Sequence, residues 1–214
     1  MTETRRTLDA LKPRELVELL DRLTIEEAAT MDIDVDAIGR AIDPRKLGRT
    51  GLSTMLRAFA RLAAEGADLA LSKLAAVTFA KIITDASKDQ LQSIMVDPAL
   101  RAQVLDEVYR RMGTHLRQDR TGGLHAVVHW RLTGGAGEGG YDRYETLIEN
   151  GVCSVNRDLE GQPRATITVS PVDFLKLITN NASAPVLFMT GKLKVRGDLA
   201  FAAGLTGLFD LPRA

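Results

Sequence analysis

The amino-acid sequence predicts an α+β fold, in which an all-α region comes first and a half rich in short strands follows. Apolar residues recur at helical spacing up to about residue 118, and from Leu124 onward they alternate with a period of two. Ser170 followed by Pro171 is typical of a helix start, which places a helix among the strands. These observations divide the chain into two halves of different secondary structure.

Local start signals divide the first half into several helices. Behind Pro13, four leucines recur at helical spacing: Leu16, Leu19, Leu20 and Leu23. Three further starts are marked by a capping residue and its expected partner: Thr24 with Glu27, Ser87 with Gln90, and Asp97 with Pro98. The helix that begins at Pro98 has one apolar face: Leu100, Val104, Leu105, Val108 and Met112.

The segments between these starts continue the helical pattern. "DVDAIGRAID" and "LSTMLRAFARLAAEG" predict two helices, and Gly66 ends the second. "DLALSKLAAVTFAKIITD", residues 68–85, has apolar residues on most faces. We therefore expect this segment to be a helix buried against another helix or against a second subunit.

The second half predicts a meander of short strands, "AVVHWRLT", "YDRYETLIE", "VCSV", "RATITVS" and, later, "GKLKVRG". In the first strand one face carries Ala126, Val128, Trp130 and Leu132, and the other carries Val127, His129 and Arg131. The helix after Ser170 has an apolar face of Phe174, Leu175, Leu177 and Ile178. Asp198 is a predicted cap for a last helix, "LAFAAGLTGLF", which is apolar around most of its circumference and so should be covered on several sides.

Composition limits the class of protein. The 214 residues include 28 basic and 28 acidic side chains, and this balance argues against a nucleic-acid binder. Cys153 is the single cysteine, which excludes an internal disulfide and a four-cysteine zinc site. The N-terminus lacks the apolar core of a signal peptide, and Lys73 and Lys81 interrupt the most apolar early segment. We expect a cytoplasmic protein.

No catalytic or metal motif stands out, and we expect no catalytic residue, no cofactor and no metal. "GAGEGG" contains the spacing of a dinucleotide fingerprint but precedes a strand, so it predicts a hairpin loop. His125 and His129 share a strand face about 13 Å apart, too far to bind one ion. Cys153 is predicted to be a buried, inert thiol.

The C-terminal segment leaves two alternatives open. Lys192, Lys194 and Arg196 lie on one strand face, either as a solvated edge that discourages aggregation or as a contact for an acidic headgroup or an anionic membrane. The apolar last helix is either ordinary core or the wall of a lipid-filled cavity.

The segment from Arg164 to Pro212 resembles the sterol carrier protein 2 family. The pattern T-x-T-x-S-x-x-D-F is present as Thr166, Thr168, Ser170, Asp173 and Phe174, and F-M-x-G-K-L-K-x-x-G-D runs from Phe188 to Asp198. The resemblance extends over roughly 97–212 and does not include the first ninety residues. It divides the chain into a helical region of unknown role, 1–96, and a sterol-carrier-like lipid-binding domain, 97–214.

The resemblance implies a five-stranded, mostly antiparallel sheet with helices over one face and a hydrophobic tunnel between them. It also implies non-catalytic binding and transfer of a fatty acid, acyl-CoA, sterol or isoprenoid lipid. The chain lacks a peroxisomal C-terminus and looks bacterial, which favours acyl chains, isoprenoids or polyketide-like lipids over sterols. The apolar residues expected to line the tunnel are Trp130, Phe174, Leu177, Ile178, Phe188, Met189, Phe201, Leu205, Leu208 and Phe209.

Two other functions remain open at this point. The chain could act as a scaffold or accessory protein of a lipid or quinone pathway, through N-terminal helices that also form a homo-oligomer. Alternatively, it could be an enzyme that uses a polar residue at the tunnel mouth, such as His129 or Asp142.

Overall fold

The structure is a computed structural model that describes residues 11–31 and 33–211. Its internal contacts form two compact units, one that extends to Glu107 and one that begins at Val108. The division falls within a single helix, Pro98–Thr114. The predicted domain boundary at 96/97 stays a prediction.

The first unit is helical, as predicted. Its helices are α1 (Pro13–Arg22), α2 (Ile25–Thr30), α3 (Val35–Ala41), α4 (Gly51–Ala64), α5 (Ala76–Asp85), α6 (Lys88–Met95) and the first part of α7 (Pro98–Thr114). The predicted capping boxes are both present: Thr24 Oγ1 accepts from the Glu27 N–H, and Ser87 Oγ accepts from the Gln90 N–H. Asp97 Oδ1 accepts from the N–H groups of Ala99 and Leu100 and caps α7.

The segment 68–85 differs from its prediction as one helix. A short 3₁₀ turn, Leu71–Lys73, precedes α5, and Ala75 between them is extended. Ala75 is the residue just before α5, and its backbone N–H donates to Asp36 Oδ1 at 2.8 Å. The start of α5 is therefore hydrogen-bonded to a side chain of α3. The apolar residues on most faces reflect two separate buried pieces, because Leu71 and Leu74 are buried in the turn and Phe79 and Ile83 in α5.

The second unit is built on a five-stranded sheet. Its strands are β1 (His125–Thr133), β2 (Tyr141–Glu149), β3 (Val152–Asn156), β4 (Ala165–Val169) and β5 (Leu193–Gly197), in the order β3-β2-β1-β4-β5. The sheet is mostly antiparallel, as expected, with one parallel pair between β1 and β4. Its helices are the second part of α7, α8 (Gln118–Thr121), α9 (Pro171–Ile178), α10 (Ala184–Met189) and α11 (Leu199–Gly204).

The alternation predicted for β1 is confirmed in the register. Trp130 lies beside Ile167 of β4, which in turn lies beside Val195 of β5. The three side chains therefore form one apolar row on the inner face of the sheet, where α9, α10 and α11 also lie. The opposite, outer face carries His129 and the outward residues of β5.

The last segment is divided rather than being one covered helix. After α11 ends at Gly204, residues Leu205–Leu208 form a 3₁₀ turn. None of the α11 residues is buried, and 54% of Leu199 is exposed, so the expectation that this helix is covered on several sides was wrong. Among the described residues, no helix combines the length and the hydropathy needed to span a bilayer.

Candidate functional site

An apolar cavity of about 290 Å³ lies between the inner face of the sheet and the helices of the second unit. The strands contribute Trp130, Ile167, Leu193 and Val195. The helices α9 and α10 contribute Leu177, Ala184, Pro185 and Phe188. The segment of α11 and the turn after it contributes Leu199, Ala202, Ala203, Leu205 and Thr206.

The floor of the cavity depends on how Trp130 is held. Its indole Nε1–H donates to Thr146 Oγ1 at 2.9 Å, within the sheet. The only polar atom of the side chain is therefore satisfied by the protein, and the carbon atoms of the ring remain for the cavity. The row Trp130–Ile167–Val195 then gives a continuous apolar surface across three strands.

The helix α9 is positioned by its start. Ser170 Oγ accepts from the Asp173 N–H at 3.1 Å and donates to Asp173 Oδ2 at 2.7 Å, and Pro171 occupies the first helical position. From this fixed start the helical spacing places Phe174 and Leu177 on one buried face. Leu177 lies one turn further along and reaches the cavity.

The helix α11 is held at its first turn by two contacts. Asp198 Oδ1 accepts from the Phe201 N–H at 2.8 Å, and Asp198 Oδ2 accepts from Arg164 Nε and Nη2 at 3.0 and 2.9 Å. The bond from the Phe201 N–H, together with that from Arg164, holds the pKa of Asp198 below its usual value. The Arg164 guanidinium also lies 4.4 Å from the centroid of the Phe201 ring.

An aromatic cluster fills the space behind Trp130. The Tyr109 ring stacks on Tyr144 with centroids 3.9 Å apart and on Phe174 at 5.2 Å, and it meets Trp130 edge-on at 6.1 Å. The Tyr109 hydroxyl is buried, and this burial raises its pKa well above the usual value. The rings of this cluster pack against one another and leave no space for a ligand, unlike the adjoining cavity.

Four of the ten predicted lining residues border the cavity: Trp130, Leu177, Phe188 and Leu205. The remaining six lie elsewhere, for three reasons. Phe174 is fully buried in the aromatic cluster, and Phe209 is buried where it pairs with Leu116. Met189 is 77% exposed, and the remaining three are partly exposed without bordering the cavity: Ile178, Phe201 and Leu208. Ligand contact by any of the ten stays a prediction.

Sequence reasoning missed the small residues of the cavity. Ala184, Ala202 and Ala203 border it, and their short side chains leave space that a larger residue would fill. Leu193 and Val195 also border it, and the alternation of "GKLKVRG" does place these two on the inner face. Lys192, Lys194 and Arg196 are exposed, as that alternation predicts, and their role as a headgroup contact stays a prediction.

The cavity can hold an apolar group and offers little to a charged one. None of its lining residues is charged, and Thr206 is the one residue among them with a hydroxyl. Burial of an unpaired carboxylate in such a place is strongly unfavourable. The geometry therefore suits a hydrocarbon chain or ring system whose polar end stays outside.

The other candidates for chemistry lie away from this cavity. His129 Nε2 is 3.1 Å from Glu145 Oε2, and His125 Nδ1 is 3.1 Å from Glu149 Oε1, so each histidine pairs with the carboxylate opposite it in the β1–β2 register. Within residues 11–31 and 33–211, no group of three or more potential metal ligands occurs.

Two further sequence predictions concern the loop and the cysteine. "GAGEGG" forms the hairpin between β1 and β2, as predicted, with positive φ at Gly139 and Gly140. Cys153 is buried, and burial raises the pKa of its thiol to about 11. The loop ends in a short 3₁₀ turn, Glu138–Gly140, and leads into β2 rather than into an α-helix. The thiol is protonated at neutral pH.

Comparison with curated proteins gives two relatives. The chain is 31% identical to "Fatty acid-binding protein" of Yarrowia lipolytica over 84 residues, which is 39% of this chain and 65% of that protein. It is 26% identical to "Hydroxysteroid dehydrogenase-like protein 2" of Bos taurus over 113 residues, which is 53% of this chain. The chain thus spans 26% of the bovine protein and less than two thirds of the yeast protein.

Among solved structures, the sec-alkylsulfatase Pisa1 from Pseudomonas sp. is similar over 98% of this chain and 34% of its own, with 16% identity and a TM-score of 0.45. Residues 105–210 match the SCP-2 sterol transfer family. Through its C-terminal half, this chain belongs to the SCP-2 sterol transfer family, whose general property is the binding and transfer of lipids.

Proposed function

We propose that the C-terminal half binds the apolar part of a lipid in the cavity that Trp130 borders, and that it transfers the lipid without changing it chemically. The observation that carries this proposal is the lining, which has one hydroxyl and no charge. The ligand classes that fit are a fatty acid, an acyl-CoA, a sterol or an isoprenoid lipid. Names of relatives such as "Fatty acid-binding protein" support the same general class.

The size of the cavity limits how much of the lipid is enclosed. Its 290 Å³ is close to the lower end of the range of about 300–1,000 Å³ that is usual for small-molecule sites. A long chain would therefore be enclosed in part and would leave through the mouth beside Phe188 and Leu199, which border the cavity and are 47% and 54% exposed.

Energetics favour exchange over tight retention. Each buried methylene contributes about 0.8 kcal/mol, and a bilayer offers the same chain about as much. A partly enclosed chain gains less in the protein than in a membrane, so its polar end must stay solvated for binding to compete. Rapid loading and unloading follow from this balance, and these are the properties of a carrier.

A role without catalysis is part of the proposal. His129 lies on the sheet face opposite Trp130 and is engaged with Glu145. Asp142 lies opposite Leu132 near the hairpin end of β2 and does not border the cavity. Neither residue is placed to act on a group held in the cavity, which supports binding rather than turnover.

The test is displacement of a fluorescent fatty acid from protein that has been stripped of lipid, with native mass spectrometry of the protein as purified. Ala202→Phe fills the cavity from α11, whereas Ala200→Phe adds the same ring to the same helix at an exposed residue that does not border it. We expect at least tenfold weaker binding by the first variant and little change in the second. Equal affinities of the two variants, or no binding by the parent protein, would overturn the proposal.

A further inference from the structure

The segment from Val186 to Leu199 leaves an unusual number of apolar side chains in solvent. Seven large apolar side chains are exposed among the described residues, and four of them belong to this segment: Val186, Phe188, Met189 and Leu199. Their exposures are 51%, 47%, 77% and 54%. Clustered exposure of this kind is typical of a surface that contacts a protein, a membrane or a ligand.

The same segment carries unbalanced positive charge in a chain that is neutral overall. No acidic residue occurs between Asp173 and Asp198, whereas Lys192, Lys194 and Arg196 fall within that interval. All three are exposed, and their side chains form no ion pair or hydrogen bond with the described part of the chain. Asp198 is already engaged by Arg164, so it does not neutralise them.

The strand β5 joins the two features at one edge of the sheet. It is an edge strand of the sheet, and the exposed apolar residues flank it in sequence, at the end of α10 and at the start of α11. Its inner residues Leu193 and Val195 border the cavity, and its outer residues are the cations. The exposed apolar residues and the cations therefore border the same edge strand, the first next to it in sequence and the second on its outer face.

We propose that this edge, residues 186–199, docks on a lipid bilayer that contains anionic lipid. Phe188, Met189 and Leu199 enter the boundary between headgroups and acyl chains, and the three cations lie against the lipid phosphates. Phe188 and Leu199 also border the cavity, so its mouth then faces the bilayer. The purpose of docking, which is exchange of lipid with the bilayer, rests on the proposed function. Docking itself needs no bound lipid.

The test measures binding of lipid-stripped protein to vesicles by sedimentation. Vesicles of phosphatidylcholine are compared with vesicles that contain 30% phosphatidylglycerol, each at low and at high salt. We expect binding to the anionic vesicles that weakens as salt rises, because these contacts are screened over about 10 Å at 0.1 M salt. Absence of binding, or equal binding to both vesicles at all salt concentrations, overturns the proposal.

Charge variants assign this binding to β5. Lys192→Gln with Lys194→Gln should weaken vesicle binding about 25-fold, since each basic residue near an anionic surface contributes a factor of about five. Arg49→Gln with Lys88→Gln removes the same charge from exposed positions in the first unit and serves as the control. Equal losses in the two pairs would show attraction by overall charge and would count against this edge.

Apolar variants test the insertion separately. Met189→Gln and Val186→Gln should each weaken binding to anionic vesicles several-fold, while Val77→Gln, a valine of similar exposure in the first unit, should not. Light scattering tests the alternative that this surface binds a second copy of the chain, because it measures whether the protein is a dimer. A dimer that Met189→Gln dissociates, without vesicle binding by the parent protein, overturns the membrane proposal. Fatty-acid displacement in vesicle-free solution tests the carrier function independently, so the two failures are distinguishable.

Discussion

Trp130 and Thr146 share one hydrogen bond, from the indole Nε1–H to the hydroxyl Oγ1 at 2.9 Å. Both residues are buried, so no solvent replaces this acceptor when it is lost. The bond keeps the polar edge of the indole within the sheet and leaves the ring as a wall of the cavity.

Removal of that acceptor should destabilise the domain. Thr146→Val keeps the shape of the side chain and leaves Trp130 Nε1–H buried without a partner, which costs about 1–3 kcal/mol of unfolding free energy. Thr146→Ser keeps the hydroxyl and should lose less. Urea denaturation followed by circular dichroism measures both, and a Thr146→Val protein as stable as the parent would contradict the prediction.

Tryptophan fluorescence should report occupancy of the cavity. Trp130 is the single tryptophan of the chain, and it borders the cavity. An acyl chain that enters the cavity packs against the indole ring and lowers the polarity around it, so we expect a blue-shifted emission when a fatty acid is added. Trp130→Phe provides the blank, and Ala202→Phe should need more ligand for the same shift. An emission spectrum that stays constant through a saturating titration would exclude binding next to Trp130.

Cys153 should resist alkylation in the folded protein. Burial raises the pKa of its thiol from 9.0 to about 11. Since the thiolate is the reactive form, its fraction at pH 8 falls about a hundredfold. Iodoacetamide should therefore label the folded protein about a hundredfold more slowly than the protein in urea, as followed by mass spectrometry. Similar rates in the two states would show that the thiol is accessible.

Asp198 should make stability depend on pH in the acid range. Its folded pKa is depressed below the usual value near 3.8, so its contribution is present above that pH and is lost as the pH falls through the folded value. Asp198→Asn should therefore be less stable than the parent at pH 7, and the difference should narrow below pH 4. Urea midpoints at pH 7 and pH 3 measure this, and a difference independent of pH would argue against a role for the charge.

Gly197 should be more sensitive to substitution than Gly191, although both have positive φ. A Cβ on Gly197 would overlap the Arg164 carbonyl oxygen, whereas one on Gly191 would have no atom within 4 Å. Gly191→Ala should cost about 1–2 kcal/mol, from the backbone conformation alone. Gly197→Ala should cost roughly 1–3 kcal/mol more, from overlap. Thermal unfolding compares the pair, and equal losses would contradict this explanation.

Helix starts could be predicted from the sequence because their signals are local. The capping residues Thr24, Ser87, Ser170 and Asp198 all accept the backbone hydrogen bonds that their spacing predicts. The strands could be predicted for a similar reason, since alternation in β1 assigns each side chain to a face without knowledge of the neighbouring strands.

The remaining features depend on contacts distant in sequence. At the break before Ala76, the Ala75 N–H donates to Asp36, which lies about forty residues earlier in the chain. Ala184, Ala202 and Ala203 border the cavity with short side chains, and an alanine in a helix gives no signal of what faces it. The prediction named large apolar residues, and two of these, Phe174 and Phe209, are buried without bordering the cavity.

The roles expected for the helical region, as a scaffold or a site of homo-oligomerisation, stay predictions, as does a cytoplasmic location. Light scattering of the full chain and of a chain that begins at the second unit would test the oligomer directly. A dimer that survives only in the full chain would assign self-association to the residues before Val108.

The parallel pairing of β1 with β4 has a consequence for how the domain folds. The hairpins β1–β2 and β2–β3 join strands that are close in sequence. Strand β4 pairs with β1 only after the chain has passed β2 and β3, and β5 then pairs with β4. Long-range pairings of this kind form slowly, because more chain entropy is lost before contacts compensate. Most of the walls of the cavity come from residues beyond Ser170. The cavity should therefore form after the rate-limiting step of folding. A bound lipid should slow unfolding and leave the folding rate unchanged.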